Sequence, residues 1–268
     1  MMASTNFDLW LFTHDTDYGA AAVKSGAKGV VVDWEWQDKV SRQLGRDTEV
    51  NHGTEADLQA MRTAVAGLVA CRINNHPGVR AREAVQAAEL GADEVWLPMV
   101  RSIAEIEECL TVLPSSCRLS ILAETPEALA LATRLNQLPL ARVYLGLNDL
   151  WISSNRRHLF TALIDGTAQK FRSEFQGPFG MAGVTRPSCG APVPCHRLLG
   201  EMARIGCDFG VARRAFRRDT PRDDLPLAIA EIGAAMGTFA TRSEALVDAD
   251  RAAFVACVRE VETQEAPR

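Results

Sequence analysis

Along this chain, short and nearly continuous apolar runs alternate with stretches in which apolar residues recur every three or four positions. The runs are "DLWLFT" (8–13), "GVVVDW" (29–34), "LVACRIN" (68–74), "EVWLPMV" (94–100), "RLSILAE" (118–124), "RVYLGL" (142–147), "FGMAGV" (179–184) and "DFGVA" (208–212). Segments this short with so little polar alternation fit strands buried on both faces. Between them the period lengthens to that of a helix. In "SIAEIEECLTVL" Ile103, Ile106 and Leu110 form one stripe, while Glu105 and Glu108 face away. "SG" (25–26), "LG" (90–91) and "IG" (205–206) each end a helical stretch just before a strand. A glycine is the residue best suited to that left-handed stop.

Eight strands alternating with helices predict a parallel (β/α)8 barrel over residues 1–220. A doubly wound sheet is the alternative. It would usually carry fewer strands and often a glycine-rich phosphate loop after the first, whereas "LFTHDTDYGAA" contains no G-x-G-x-x-G. Two further helical stretches, 224–241 and 243–263, exceed what a barrel needs. They define a C-terminal extension over 221–268, expected to pack either on the barrel or on a partner subunit. The Arg/Asp-rich "RRAFRRDTPRDD" (213–224) is the most linker-like segment, and no low-complexity linker is present.

Composition narrows the function classes. Hydrophobic residues make up 47% of the 268, enough for a large core. The net charge of −5 argues against a general nucleic-acid or anionic-membrane role. No apolar run approaches the roughly 18 residues of a membrane span. The start, "MMASTNFDLWLF", lacks the basic segment and long apolar core of a secretory signal. Seven irregularly spaced cysteines read as reduced thiols of a cytoplasmic protein.

In a (β/α)8 barrel the chemistry lies at the carboxyl ends of the strands. Glu124 ends the fifth strand in "ILAETPEAL", and Asp149 ends the sixth in "YLGLNDL". Taken singly, each acid reads as a cap of the following helix. As a pair on strands about 4.8 Å apart, they read as ligands of one hard cation, Mg²⁺ or Mn²⁺, with Co²⁺ also admissible. Arg72 ends the third strand in "ACRIN". Its planar fork suits a carboxylate or enolate oxygen; the alternative is a salt bridge to Glu124 or Asp33. Asp33 and Glu35, two residues apart in "VVVDWEW", share a face and are candidate acid/base groups. Arg213 and Arg214 end the eighth strand, where barrels often bind phosphate; solvated or partner-facing arginines are the alternative. Cys189, Cys195 and His196 lack the fourth ligand and the spacing of a zinc site.

Together "VVVDWE", "CRIN", "GADEVWLPMV", "ILAETPEAL" and "LGLNDL", in this order over roughly 8–216, resemble the HpcH/HpaI aldolase and citrate lyase β-subunit family of metal-dependent barrels. The resemblance implies a divalent metal held by Glu124 and Asp149, with Arg72 binding the carboxylate or enolate of a pyruvate-like or acyl-CoA-derived unit. Asn74, Asn148 and Arg213 join Arg72 as substrate-binding candidates, and Arg72, Glu35 and Asp33 are the catalytic ones. The implied reaction makes or breaks a C–C bond through an enolate. A citrate-lyase-like acyl-CoA lyase or thioesterase, and a barrel that serves only as a binding subunit, are the alternatives. The family also implies a homo-oligomer built through the C-terminal helices. The chain departs from it at Trp36: the aldolase branch carries at this position a His used in proton transfer, and the lyase branch an Asp. Asp33, Glu35, His14 or His52 would have to substitute. The sixth-strand segment reads "GLNDL" where the aldolases have Gly-Pro-Ala-Asp-Leu.

Overall fold

A computed structural model of the chain describes residues 7–36 and 53–264. Eight parallel strands close into a barrel in sequence order, with the last paired to the first. They are β1 Asp8–Phe12, β2 Gly29–Asp33, β3 Leu68–Arg72, β4 Glu94–Leu97, β5 Arg118–Ala123, β6 Leu140–Leu145, β7 Phe179–Val184 and β8 Phe209–Ala212. The expected (β/α)8 barrel is therefore the observed fold. Each strand falls within a few residues of its apolar run, since a strand buried on both faces has no polar side to blur its ends. His52, one of the expected substitutes for the missing base, lies outside the described residues.

Helices cover the barrel. Those used below are α1 Thr16–Lys24, α2 Glu55–Ala64, α3 Arg80–Glu89, α4 Ile103–Val112, α5 Pro126–Ala130, α6 Leu147–Ser153, α7 Thr167–Glu174, α8 Cys195–Ile205, α9 Arg214–Asp219, α10 Leu225–Ala240 and α11 Glu244–Gln264. The helix-ending glycines behave as read: Gly26, Gly91 and Gly206 have φ of 110°, 94° and 81°. That left-handed backbone favours glycine.

Inward-facing side chains alternate along each strand and fill the barrel in layers. Trp10, Val31, Ala70, Trp96, Leu122, Tyr144, Phe209 and Val211 form one interior cluster. The Trp96 ring centroid lies 5.4 Å from Trp10 and 5.7 Å from Tyr144. One turn of the alternation below Trp96 and Tyr144 are Glu94 and Arg142, both buried inside the barrel. Arg142 Nε and Nη2 donate to the two Glu94 oxygens at 2.8 and 3.1 Å, and its guanidinium lies 4.6 Å from the Trp10 ring. Trp96 Nε1 and Ser120 Oγ also donate to Glu94. A compensated ion pair thus closes the amino-terminal end of the barrel.

The C-terminal helices pack on α8. A Cβ on Gly200 would sit 3.3 Å from the Phe239 ring, so α10 approaches α8 closely. Arg242 Nη2 donates to the Gly200 carbonyl at 2.9 Å, and Arg251 Nη1 to Glu201 at 2.6 Å. Leu227 and Leu246 on these helices stay 57% and 56% exposed. No helix of the described residues is long and apolar enough to cross a membrane.

Candidate active site

The strand register assembles the site. β2 pairs with β3 so that Asp33 stands opposite Arg72. Neighbouring inward positions at one level let the two side chains meet, and Arg72 Nε and Nη2 donate to the two Asp33 oxygens at 2.8 and 2.7 Å. This bidentate pair orients the guanidinium. Its remaining edge turns Nη1 toward Glu35, 3.3 Å from Oε2, and its face lies 4.6 Å from the Phe12 ring. Burial opposes the Arg72 charge, but Asp33 first, then Glu35 and Glu124, hold the guanidinium proton well above its ordinary range. The Asp33 salt bridge foreseen as an alternative is thus present, and it leaves the Nη1 side of the fork directed at the acids of the mouth.

β5 and β6 bring up the second half. Leu122 pairs with Tyr144 and Ala123 with Leu145, so Glu124 is level with Gly146. A Cβ on Gly146 would lie 2.3 Å from Glu124 Cγ and Oε1. Only glycine lets the acid lie across this backbone. Gly146→Ala should displace Glu124, cost about 1–3 kcal/mol by overpacking, and weaken Mn²⁺ binding by titration; unchanged affinity would refute the reading. Glu124 Oε2 accepts from the Met99 amide at 3.1 Å. Met99 holds φ of 50°, rare for a side chain that bulky, and its carbonyl accepts from Asn75 Nδ2 at 3.2 Å. Strain of this kind gathers where a backbone group must be aimed.

Glu124 does not cap the helix that follows. Thr125 does, accepting from the Ala128 amide at 3.0 Å, with Pro126 in the first turn. The acid is left facing the mouth. Asp149 lies buried in the first turn of α6, and Ser153 Oγ of the same helix donates to the Glu124 carbonyl at 2.8 Å. Burial, then the charges of Asp149 and Glu35, push the Glu124 carboxyl up to about 8, against the opposing pull of Arg72 and the Met99 amide. The mouth is therefore short of positive charge at Glu124.

That shortfall is the test of fit for a metal. Among the described residues no group of three or more His, Cys, Asp or Glu side chains converges as a metal cage. Two carboxylates, completed by water and substrate oxygens, suit Mg²⁺ or Mn²⁺, which keep part of their hydration. Glu124 and Asp149 fit as the residues that would hold it.

The other expected residues are placed differently. Asn74 donates to the Trp34 carbonyl at 2.9 Å and to Glu83, and accepts from the Trp36 amide at 3.0 Å. Those bonds hold the backbone after β2 in position. His14 Nε2 accepts from the Asp33 amide at 3.2 Å. Asn148 is half-buried in α6. Arg213 donates to the Ala191 carbonyl at 3.2 Å, tying the loop after β7 to the end of β8. Arg214 begins α9 and is exposed, while Arg217 of that helix pairs with Asp15 at 2.6 Å. Trp36 is 48% exposed and borders a cavity of about 360 Å³ with Trp34, Thr54, Asn74 and Glu83. That cavity includes none of Arg72, Glu124 and Asp149. Cys195, weighed above for zinc, is buried with its thiol donating to the Thr185 carbonyl.

Sequence reasoning missed Met99 and Tyr144. Nothing local marks Met99 as left-handed. Tyr144 was readable from the alternation, as the inward residue two before Gly146.

No protein-family model matches the chain, and no curated protein matches it in sequence. Solved structures share its fold. RipC from Yersinia pestis superposes with a TM-score of 0.58 at 16% identity, covering 91% of this chain and 100% of that one. Citrate synthase SbnG gives 0.59 at 13%, covering 84% and 93%. An HpcH/HpaI aldolase from Desulfitobacterium hafniense DCB-2 gives 0.57 at 12%, covering 78% and 87%. A tryptophan synthase α-subunit from Pyrococcus furiosus reaches 0.56 at 13%. At these identities the likeness is one of fold, and the choice of chemistry rests on the residues in the mouth.

Proposed function

We propose that this chain is a divalent-metal-dependent carbon–carbon lyase or aldolase that works through the enolate of a pyruvate-like 2-oxo acid. The observation that carries the reading is the charge arrangement at the carboxyl ends of β2, β3, β5 and β6. An arginine locked by Asp33 turns its Nη1 edge toward Glu35, in a mouth that also holds the buried acids Glu124 and Asp149. The fold shared with an HpcH/HpaI aldolase and with citrate synthase SbnG supports it.

When bound, a divalent cation would supply Lewis-acid stabilisation of developing negative charge. The chain's own residues do the rest. The Nη1 side of Arg72 binds a substrate carboxylate or enolate oxygen, with its fork fixed beforehand by Asp33. Asp33 is a positioning group, because Arg72 takes both of its oxygens. Glu35, beside Arg72 Nη1, is the acid/base residue. In the cleavage direction it takes the proton of the substrate hydroxyl as the C–C bond breaks, and returns a proton to C3 of the enolate.

The test is exchange of the pyruvate methyl protons for deuterium in D₂O, followed by NMR, with Mg²⁺ or Mn²⁺ and again with chelator. Metal-dependent exchange is expected. Metal binding without exchange would move the reading to thioester substrates, and neither binding nor exchange would favour a binding subunit. Arg72→Lys loses the two-pronged contact to Asp33 and the oriented edge. Exchange should fall about 100-fold, in the range of losing one preorganised donor, while Mn²⁺ affinity changes little. Full exchange in that variant would remove Arg72 from the mechanism.

A further inference from the structure

We infer that Tyr144 touches the substrate, its hydroxyl donating a hydrogen bond to an oxygen of the bound 2-oxo acid from the floor of the site. The inference rests on the enolate reading above and adds a residue to it. Along β6 and just past its end the inward positions are Arg142, Tyr144 and Gly146. Arg142 lies in the closed end with Glu94, and Gly146 lies beneath the Glu124 side chain. Tyr144 is the layer between them, opposite Leu122, two residues before Glu124. Its ring is held against Trp96, with centroids 5.7 Å apart. A phenol on a ring fixed in this way has little freedom left to lose on binding.

The hydroxyl is what remains to be explained. Buried tyrosine hydroxyls usually find a partner, and Tyr18 does, donating to the Thr220 carbonyl at 3.1 Å. The Tyr144 hydroxyl bonds to no group among the described residues, and the residue is 7% exposed, so the barrel mouth reaches it. The charges of Glu124, Arg72 and Asp149 all bear on it. Burial first, then Glu124, raises its pKa well above the ordinary phenol value, which keeps the proton on the oxygen as a donor. A fixed neutral donor beneath Arg72 and Glu124 suits an oxygen on which charge develops during enolate formation.

The chain has two tyrosines, Tyr18 and Tyr144, which makes the test direct. Protein labelled with 3-fluorotyrosine should give two ¹⁹F resonances, assigned with Tyr18→Phe. Oxalate, a planar dianion resembling the enolate of pyruvate, is added with Mg²⁺. The Tyr144 resonance should move and the Tyr18 resonance should not. Tyr144→Phe should keep its thermal midpoint and Mn²⁺ affinity but exchange the pyruvate methyl protons about 100-fold more slowly. If the parent binds oxalate and exchanges pyruvate while the Tyr144 resonance stays fixed, or the variant keeps its rate, the Tyr144 inference alone is overturned. If the parent neither binds oxalate nor exchanges pyruvate, the enolate reading and this inference fall together.

Discussion

Replacing Glu124 by glutamine should abolish metal-dependent exchange, lower Mn²⁺ affinity by at least about 100-fold, and at the same time stabilise the metal-free protein at alkaline pH. The first two effects follow from removing one of two charged ligands of a hard cation; loss even of an outer-shell partner typically costs 10–100-fold. The third follows from linkage. The Glu124 carboxyl stands at about 8 in the folded chain against 4.5 as its ordinary value. Between those values the folded state holds a proton that the unfolded state has released, so the stability of the metal-free protein falls as pH rises through that window. At about 1.4 kcal/mol per pKa unit the loss is on the order of a few kcal/mol. Glutamine carries no such proton. In chelator its thermal midpoint should be flatter than the parent's from pH 5 to 9 and should exceed it at the upper end. Added Mn²⁺ should restore the parent and leave the variant unmoved. A parent midpoint that does not fall with pH, or a variant with unchanged metal affinity, would contradict the assignment.

The largest stability effect is expected at the other end of the barrel. Glu94 is 0% exposed and receives Arg142, Trp96 and Ser120. Glu94→Ala strands the buried Arg142 guanidinium, and breaking a buried pair from one side costs about 3–5 kcal/mol. Glu94→Leu combined with Arg142→Met removes both charges, keeps most of the volume, and should cost far less than the single change. Denaturant unfolding of the two variants measures the difference. A single variant within about 1 kcal/mol of the parent would mean that the pair does not hold the barrel end together.

Much of this architecture is legible in the chain because a parallel strand buried on both faces leaves an unbroken apolar run, and because Gly26, Gly91 and Gly206 mark the turns between layers. The positions of Asp33, Arg72 and Glu124 are equally plain, each being a charge at the end of such a run, whereas Asp149, read as the end of the sixth strand, sits in the first turn of α6, because the strand stops at Leu145 and the helix starts two residues later. What they bond to is not. The register that sets Asp33 against Arg72 is a property of two strands nearly forty residues apart. The left-handed Met99 and the close approach of Gly146 to Glu124 depend on neighbours across the barrel. Glu94 and Arg142 look like strand-end surface charges in sequence. Only their alternation with Trp96 and Tyr144 turns them inward.

The docking of α10 and α11 on α8 has a consequence for how unfolding of this protein is watched. All five tryptophans, at 10, 34, 36, 96 and 151, and both tyrosines belong to residues 1–220, and none lies in 221–268. The C-terminal helices add nothing to tryptophan or tyrosine fluorescence, yet they contribute two of the longest helices to the far-ultraviolet signal. Intrinsic fluorescence therefore follows the barrel alone, and circular dichroism follows both parts. Coincident melting curves would mean that the contacts of Arg242 and Arg251 fuse the two into one cooperative unit. A dichroism transition that precedes the fluorescence one would mean that the helical extension detaches first.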